Sequence, residues 1–340
     1  MKIIIKSCLA IIYAFRSINW IKFVKLYDKK SNNIIVLSFI RGKYGNELLF
    51  WDFGYINAFI NSNKKFKISF SFQEQHNSII YWSPSKYYST SIDYSPDLIR
   101  IAKKVEENNN RIFPSSNELL FLENKTYMHK FFDSKGIPNP KTDYYNSISE
   151  IEQANLSFPL LLKGEHSSGS QDVYKFDNKS SLLNYLRTSE FCNKFSTILL
   201  QRLLNIRRDL RVTIVGDEVV LFYWRINKSD EWKPTASSFG GTISFSDYPQ
   251  QWHKYFLDYF KKLNIPMGAF DVAWENDDLS TEPLFLEVSS RFSPNPPFIP
   301  NGNVTYSGWK KILIGKKVYY KLQCDLIFHI ANKYLKITEK

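Results

Sequence analysis

FPLLLKGEHSSGSQDVYKF, residues 158–176, joins two short apolar stretches through a small polar loop. The run Phe158 to Leu162 predicts a buried strand ending in Lys163, Gly164 to Asp172 predicts a loop, and Val173 to Phe176 predicts a second strand. A loop rich in Gly and Ser can turn several backbone N–H groups and hydroxyls toward one anion, and a lysine at the strand end adds a point charge. Ser168, Gly169 and Ser170 are the candidate anion contacts in the loop, with Lys163 beside them. The alternative is an ordinary hairpin with a solvated lysine, and only agreement with other parts of the chain separates the two.

With 340 residues the chain is long enough for two or three domains, and 44% hydrophobic with 23% charged residues marks it as globular. Cys8, Cys192 and Cys324 are too few and too far apart for a disulfide framework or a metal knuckle, so a reduced, cytoplasmic setting is expected. The net charge of +12 sits at the ends: residues 1–30 and 301–340 hold fifteen of the 45 basic and three of the 33 acidic residues, leaving 30 of each between them. A nucleic-acid enzyme needs a basic stripe along its working groove, and the balanced middle excludes that class of partner.

Ile4, Cys8, Ile11, Phe15 and Ile18 recur in steps of four and three and predict one apolar helix face, widened by Ile5 and Ile12. Lys2, Lys6, Arg16, Lys22 and Lys25 interrupt it, so no transmembrane span is expected, and no small-residue site for signal cleavage follows. The segment therefore either docks on its own domain or lies on an anionic membrane surface, with Trp20 and Phe23 near the headgroups.

Residues 31–117 alternate strand and helix: strands at Ile34–Phe39, Phe66–Phe72 and Ile79–Trp82, a helix at Glu47–Ile60, and a helix from Asp97 to Glu107 with Ser95 as N-cap and Pro96 as its first residue. This is the pattern of a small α/β domain, without a dinucleotide fingerprint. Glu123 to Lys135 predicts a helix stopped by Gly136, with Lys125 in its first turn. Ile198–Leu204, Asp209–Val215, Glu218–Trp224 and Phe270–Trp274 predict strands, with a hairpin turn at Gly216 and Asp217. Asp271, at the start of its strand, and Glu287, at the end of an apolar run, stand sixteen residues apart and make a paired carboxylate. Hard oxygens of that kind suit Mg²⁺ bound to nucleotide phosphates.

The succession ENK, GIPNP, FPLLLKGEHSSGS, ILLQRLL, DLRVTIVGDEVV, FGG, FDVAW and FLEVSSR, covering roughly residues 117–298, resembles the ATP-grasp enzymes, in particular their carboxylate–amine ligases of the ribosomal-protein glutamate ligase and peptide ligase type. The resemblance implies an α/β fold: an N-terminal α/β domain at 31–117, then two α+β lobes with antiparallel sheets at 118–195 and 196–298 that hold ATP between them. The basic segments 1–30 and 299–340 flank these domains. It further implies that Lys125 and Lys163 contact the α- and β-phosphates and that the 164–172 loop covers the triphosphate. Arg202 and Leu203 would pair with adenine through their backbone, Asp209 would hold the ribose, and Lys233 would face the phosphates. Asp271, Glu287 and Ser289 would ligate Mg²⁺, or Mn²⁺ in its place. The chain departs from the family pattern in having Ser289 for Asn, Arg202 for a common Glu, and a single central glycine, Gly169, in the phosphate loop.

The chemistry implied is amide formation: γ-phosphoryl transfer activates a carboxylate, and an amine displaces the phosphate. Arg211, Arg225 and Arg291 are the candidates for gripping the carboxylate or the transferring phosphate, since a guanidinium is a two-pronged donor. The five histidines have no ligand spacing, so zinc is not expected. Trp224, Trp232 and Phe239 either stack on a sugar or belong to the core. The expectation is an ATP-dependent carboxylate–amine ligase acting on small-molecule, sugar or peptide carboxylates and amines, with a surface-glycan or lipid-linked precursor suited to the basic ends. A peptide-modifying ligase, a phosphotransferase with a small acceptor, and a scaffold with lapsed catalysis remain as alternatives.

Overall fold

The computed structural model describes residues 11–38, 46–72, 76–89, 94–166, 172–194, 197–229, 231–235, 241–297 and 308–339. Its contacts divide the chain into two compact units, Met1–Leu119 with Arg291–Lys340, and Leu120–Ser290.

The first unit carries a parallel sheet of β1 (Asn33–Val36), β2 (Lys67–Ser69), β3 (Ile79–Trp82) and β4 (Arg111–Phe113), in the order β2-β1-β3-β4. Ile35, Val36, Ile80, Tyr81 and Trp82 are all buried, the near-continuous apolar character of strands covered on both faces. Helix Asn46–Asn61 packs against one continuous helix, Gly308–Thr338. Gly54 permits that approach, since a Cβ there would meet the Ala331 Cβ at 3.2 Å. Residues 66–72 alternate in sequence, yet only three form a strand: Phe66 is buried and Phe70 is 62% exposed, because β2 is the edge of its sheet. Ser95 is the first helical residue rather than the cap, the chain entering through Tyr94.

The second unit holds two antiparallel sheets. β5 (Thr142–Tyr145), β6 (Leu160–Lys163), β7 (Val173–Phe176) and β8 (Ile198–Arg202) run in the order β5-β8-β6-β7. β9 (Arg208–Val215), β10 (Glu218–Ile226), β11 (Thr242–Ser244), β12 (Met267–Ala273) and β13 (Leu284–Ser289) run in the order β11-β10-β9-β12-β13. Gly216, at φ +66°, turns β9 into β10. One face of the larger sheet is apolar: Leu210, Val212, Ile214, Trp224, Phe270, Val272 and Val288 pack with Phe256 and Phe260 of helix His253–Lys262 and with Met128 and Phe132 of helix Lys125–Ser134. Trp224 is thereby core, its ring 5.6 Å from that of Trp274, and it is not available for stacking on a sugar. Phe239 lies outside the described residues.

Candidate active site

The period of two that sends Leu210, Val212 and Ile214 into the core sends Asp209, Arg211 and Thr213 to the opposite face. Strand register then sets four polar side chains in one row across adjacent strands: Tyr223 opposite Arg211, Arg211 opposite Asp271, and Asp271 opposite Glu287. Asp271 is the fifth residue of β12 and not its start, because Met267, Gly268 and Ala269 carry no strand signal yet pair fully with β9. Glu287 reaches this face through a β-bulge. Val272 opposes Phe285 while Asp271 opposes Glu287, so Leu286 is the extra residue, and Phe285 stays in the core although it is two positions from Glu287. Ser289, opposite Ala269, continues the polar face.

The carboxylates and guanidiniums form a buried lattice. Arg211 donates from Nε to Asp271 Oδ1 at 2.7 Å and from Nη2 to Oδ2 at 2.9 Å. Arg225 donates to Asp271 Oδ2 at 2.8 Å and grips Asp209 through Nε at 2.8 Å and through Nη2. Burial alone would raise the Asp271 carboxyl, but Arg211 and Arg225 outweigh it and hold it down at about 2. Both guanidiniums are driven further into their charged form by the same contacts, against burial.

The same unit carries both expected phosphate lysines. Lys163 ends β6, and Lys125 begins a helix whose Asn124 cap accepts from Tyr127 N at 3.1 Å. The Lys125 N–H donates to the Glu165 carbonyl at 3.1 Å, and His166 Nδ1 lies 3.0 Å from the Glu123 carbonyl, so the helix start and the loop base are stitched together. Gly164 N–H donates to the Asp172 carbonyl at 2.8 Å and closes the loop; Ser168, Gly169 and Ser170 lie outside the described residues. Burial, and then the charge of Lys125, lower Lys163 to about 8, while Glu287, Asp271 and Asp209 pull it back up. Lys163 is therefore in electrostatic reach of Lys125 and of three carboxylates of this unit. A lysine poised at about 8 gives a signed expectation. ATP affinity weakens by up to about tenfold per pH unit above that point, as only the charged amine attracts phosphate. The folded value lies below the unfolded 10.5, so the ligand-free protein becomes more stable from pH 8 to 10.5. Isothermal titration with ATP at pH 7, 8 and 9 checks the first effect, and a pH-independent affinity would remove Lys163 from the phosphate contacts.

The remaining expected residues are placed less centrally. Arg202 ends β8 and is exposed, its Nη1 donating to Glu275 Oε2 at 2.5 Å, and Leu203 follows it half-buried. Lys233 is exposed between β10 and β11, its carbonyl accepting from Asn227 Nδ2 at 3.2 Å. The described contacts of Arg291 are in the first unit: Nε donates to the Pro84 carbonyl at 2.7 Å, and the guanidinium lies 6.0 Å from the Trp51 ring centre.

His129 was discounted for want of ligand spacing, yet it is fully buried one turn after Lys125. Its Nδ1 sits 3.1 Å from Asn139 Oδ1 and its Nε2 3.1 Å from Gln201 Nε2, which also donates to Thr142 Oγ1 at 2.9 Å. These partners assign Nδ1 as donor and Nε2 as acceptor, the neutral ring. Burial, with Lys163 and Lys125 nearby, pushes its pKa down to about 3. A neutral histidine thus ties the Lys125 helix to β8. Its place one helical turn from a predicted phosphate lysine is the signal that could have found it.

Among the described residues, no group of three or more His, Cys, Asp and Glu side chains forms a metal cluster. The oxygens of Asp271, Glu287 and Ser289 on one sheet face nevertheless fit a nucleotide-associated Mg²⁺, which needs one or two carboxylates beside phosphate and water. Three N–H contacts already occupy most of the Asp271 lone pairs, so Glu287 would carry the larger share of any such ligation.

No family model matches the sequence. The chain is 30% identical over 124 residues to the alpha-aminoadipate–LysW ligase LysX of Saccharolobus solfataricus, covering 35% of this chain and 45% of that protein. It is 27% identical over 173 residues to the tetrahydromethanopterin:alpha-L-glutamate ligase of Methanocaldococcus jannaschii, covering 49% and 57%. The aligned part of the chain thus spans about half the length of these curated relatives. Among solved structures, the ATP-grasp ligase PsnB, in complex with a phosphomimetic variant of its minimal precursor, Mg and ADP, superposes with a TM-score of 0.54 at 12% identity over 89% of this chain and 100% of that one. The chain therefore has the ATP-grasp fold, and its sequence resembles the carboxylate–amine ligases built on that fold.

Proposed function

We propose that the protein joins a carboxylate to an amine at the expense of ATP. The observation that supports this is the row Arg211, Asp271 and Glu287 on adjacent strands, with Lys163 in electrostatic reach of its two carboxylates and of Lys125. Lys125 and Lys163 hold the phosphates, and the neutral His129 fixes the first of them relative to β8. Glu287, with Asp271 and Ser289, holds Mg²⁺, which when bound neutralises phosphate charge. A substrate carboxylate oxygen takes the γ-phosphoryl group, ADP leaves, and the amine nitrogen displaces phosphate from the acyl carbon. Arg211 and Arg225, charge-balanced by Asp271 and Asp209, fix the row over which that exchange takes place, where positioning and charge neutralisation do most of the work.

Two relatives carry amino acids in their names, so an amino acid is taken as one partner of the amide. A surface-glycan or lipid-linked sugar acceptor rests on the basic ends alone and enters as an arm of the test. Incubation with ATP, Mg²⁺ and pooled amino acids, short peptides or sugar acids is expected to release ADP and free phosphate together, in the presence of the right pair. A phosphorylated product without free phosphate would instead make the protein a phosphotransferase. Absence of turnover with every pool, alongside ATP binding, would leave a scaffold.

A further inference from the structure

The two helical segments near the N-terminus expose what a docked amphipathic helix buries. Residues 11–16 are helical; Ser17 and Asn19 then break the run, Asn19 capping helix Trp20–Leu26 by accepting from Lys22 N at 3.1 Å. Ala14, Ile18 and Leu26 face the protein, at 0%, 5% and 9% exposure. Ile11 and Phe15, two residues of the expected apolar helix face, are 46% and 45% exposed. With them stand Ile12 at 47%, Trp20 at 41%, and Ile21 and Val24 at 74% each. In both segments the exposed positions follow i, i+1, i+4, a single helical stripe. Among the described residues, only Phe70 and Val318 are other large apolar side chains this exposed.

The stripe is edged with positive charge. Arg16, Lys22, Lys25, Lys29 and Lys30 are exposed, and the one acid of the stretch, Asp28, is paired with Lys65 at 3.2 Å. The second basic end of the chain meets it: Ser17 Oγ lies 3.9 Å from Cys324 Sγ of the C-terminal helix. Exposed Lys317 and Val318 extend the same apolar and basic character, and Lys321 beside them is paired with Asp325 at 2.7 Å. Trp20 donates its Nε1–H to the Phe15 carbonyl at 2.9 Å and stacks on Phe15 with ring centres 5.3 Å apart, so it can enter an interfacial layer without an unpaired donor.

We propose that this face of the first unit docks on an anionic lipid bilayer. Aliphatic and aromatic side chains on two short helices, rimmed by Lys and Arg, match a surface with an apolar interior and negative headgroups. Among the described residues no helix is long and apolar enough to cross a membrane, so the contact is peripheral. A second copy of the chain is the poorer occupant, because a two-fold contact would set this basic rim against itself. The proposal concerns where the protein sits and stands independently of the ligase assignment.

The test is flotation of the full chain with vesicles of phosphatidylcholine, with and without about one third phosphatidylglycerol, near physiological salt. Binding is expected only to the anionic vesicles. It should fall about tenfold or more in Ile21→Asp with Val24→Asp, and by a similar factor in Lys22→Glu with Lys25→Glu. All four positions are exposed, so thermal unfolding should stay close to that of the parent. Equal binding to neutral vesicles, no binding to anionic ones, or parent-like binding by either double variant overturns the proposal. A concentration-dependent dimer that the two aspartates dissociate, without lipid binding, would assign the face to a second copy.

Discussion

Glu287→Gln is expected to lower ATP turnover by about a hundred- to a thousandfold while leaving stability within about 0.5 kcal/mol. The side chain stands at the end of the polar row on β13, half-buried, and opposes Asp271. An isosteric amide keeps its volume and removes its charge, so the loss falls on whatever cation and phosphate the carboxylate balances. Asp271 cannot replace it, because its oxygens already accept two N–H groups from Arg211 and one from Arg225. Loss of the metal from a loose site shifts the Mg²⁺ requirement before it abolishes turnover. ADP release should therefore recover in part as Mg²⁺ is raised, and Ser289→Ala should show the same dependence more weakly. Unchanged turnover at limiting Mg²⁺ would remove Glu287 from the ligand set.

What the sequence made legible follows from range. The alternation in Asp209–Val215 is local, and it marks the polar face off from the core face. The strand of Lys163, the Gly216 turn and the Gly136 stop are equally local. The Arg211–Asp271 pair is not, for it depends on the register of strands sixty residues apart. Glu287 was found by its place after an apolar run, but parity with Phe285 argues for the wrong face, and only the bulge at Leu286 reconciles them. β12 is buried at every position, so it offers no period by which to place Asp271 within it. The stripe Ile11–Phe15–Ile18 was visible as a pattern, whereas the choice of buried face was made by tertiary packing that buries Ala14 and Ile18 and leaves Ile11 and Phe15 exposed. His129 was hidden because its partners, Asn139 and Gln201, lie on separate elements.

The largest effect on stability is expected at Asp271. Asp271→Ala leaves the Arg211 guanidinium buried without its carboxylate and takes from Arg225 one of its two, so a loss of about 3–5 kcal/mol is expected. Most of that reflects the charges left behind. Arg211→Met combined with Asp271→Leu should consequently be more stable than Asp271→Ala alone, and a double-mutant cycle by urea denaturation would show it. The same lattice has a pH signature. The folded carboxyl is held at about 2 against 3.8 when unfolded, so the stabilisation is complete above about pH 4 and is lost as pH falls through 2. Asp271→Asn removes the titrating group and should flatten the fall of unfolding free energy between pH 4 and 2. An acid slope equal to that of the parent would place the titration elsewhere and leave Asp271 a spectator in the lattice. Because Arg225 spans Asp209 and Asp271, Arg225→Lys, with one ammonium in place of a fork, should weaken both contacts at once. It should thus lower stability and turnover together, whereas Glu287→Gln separates them.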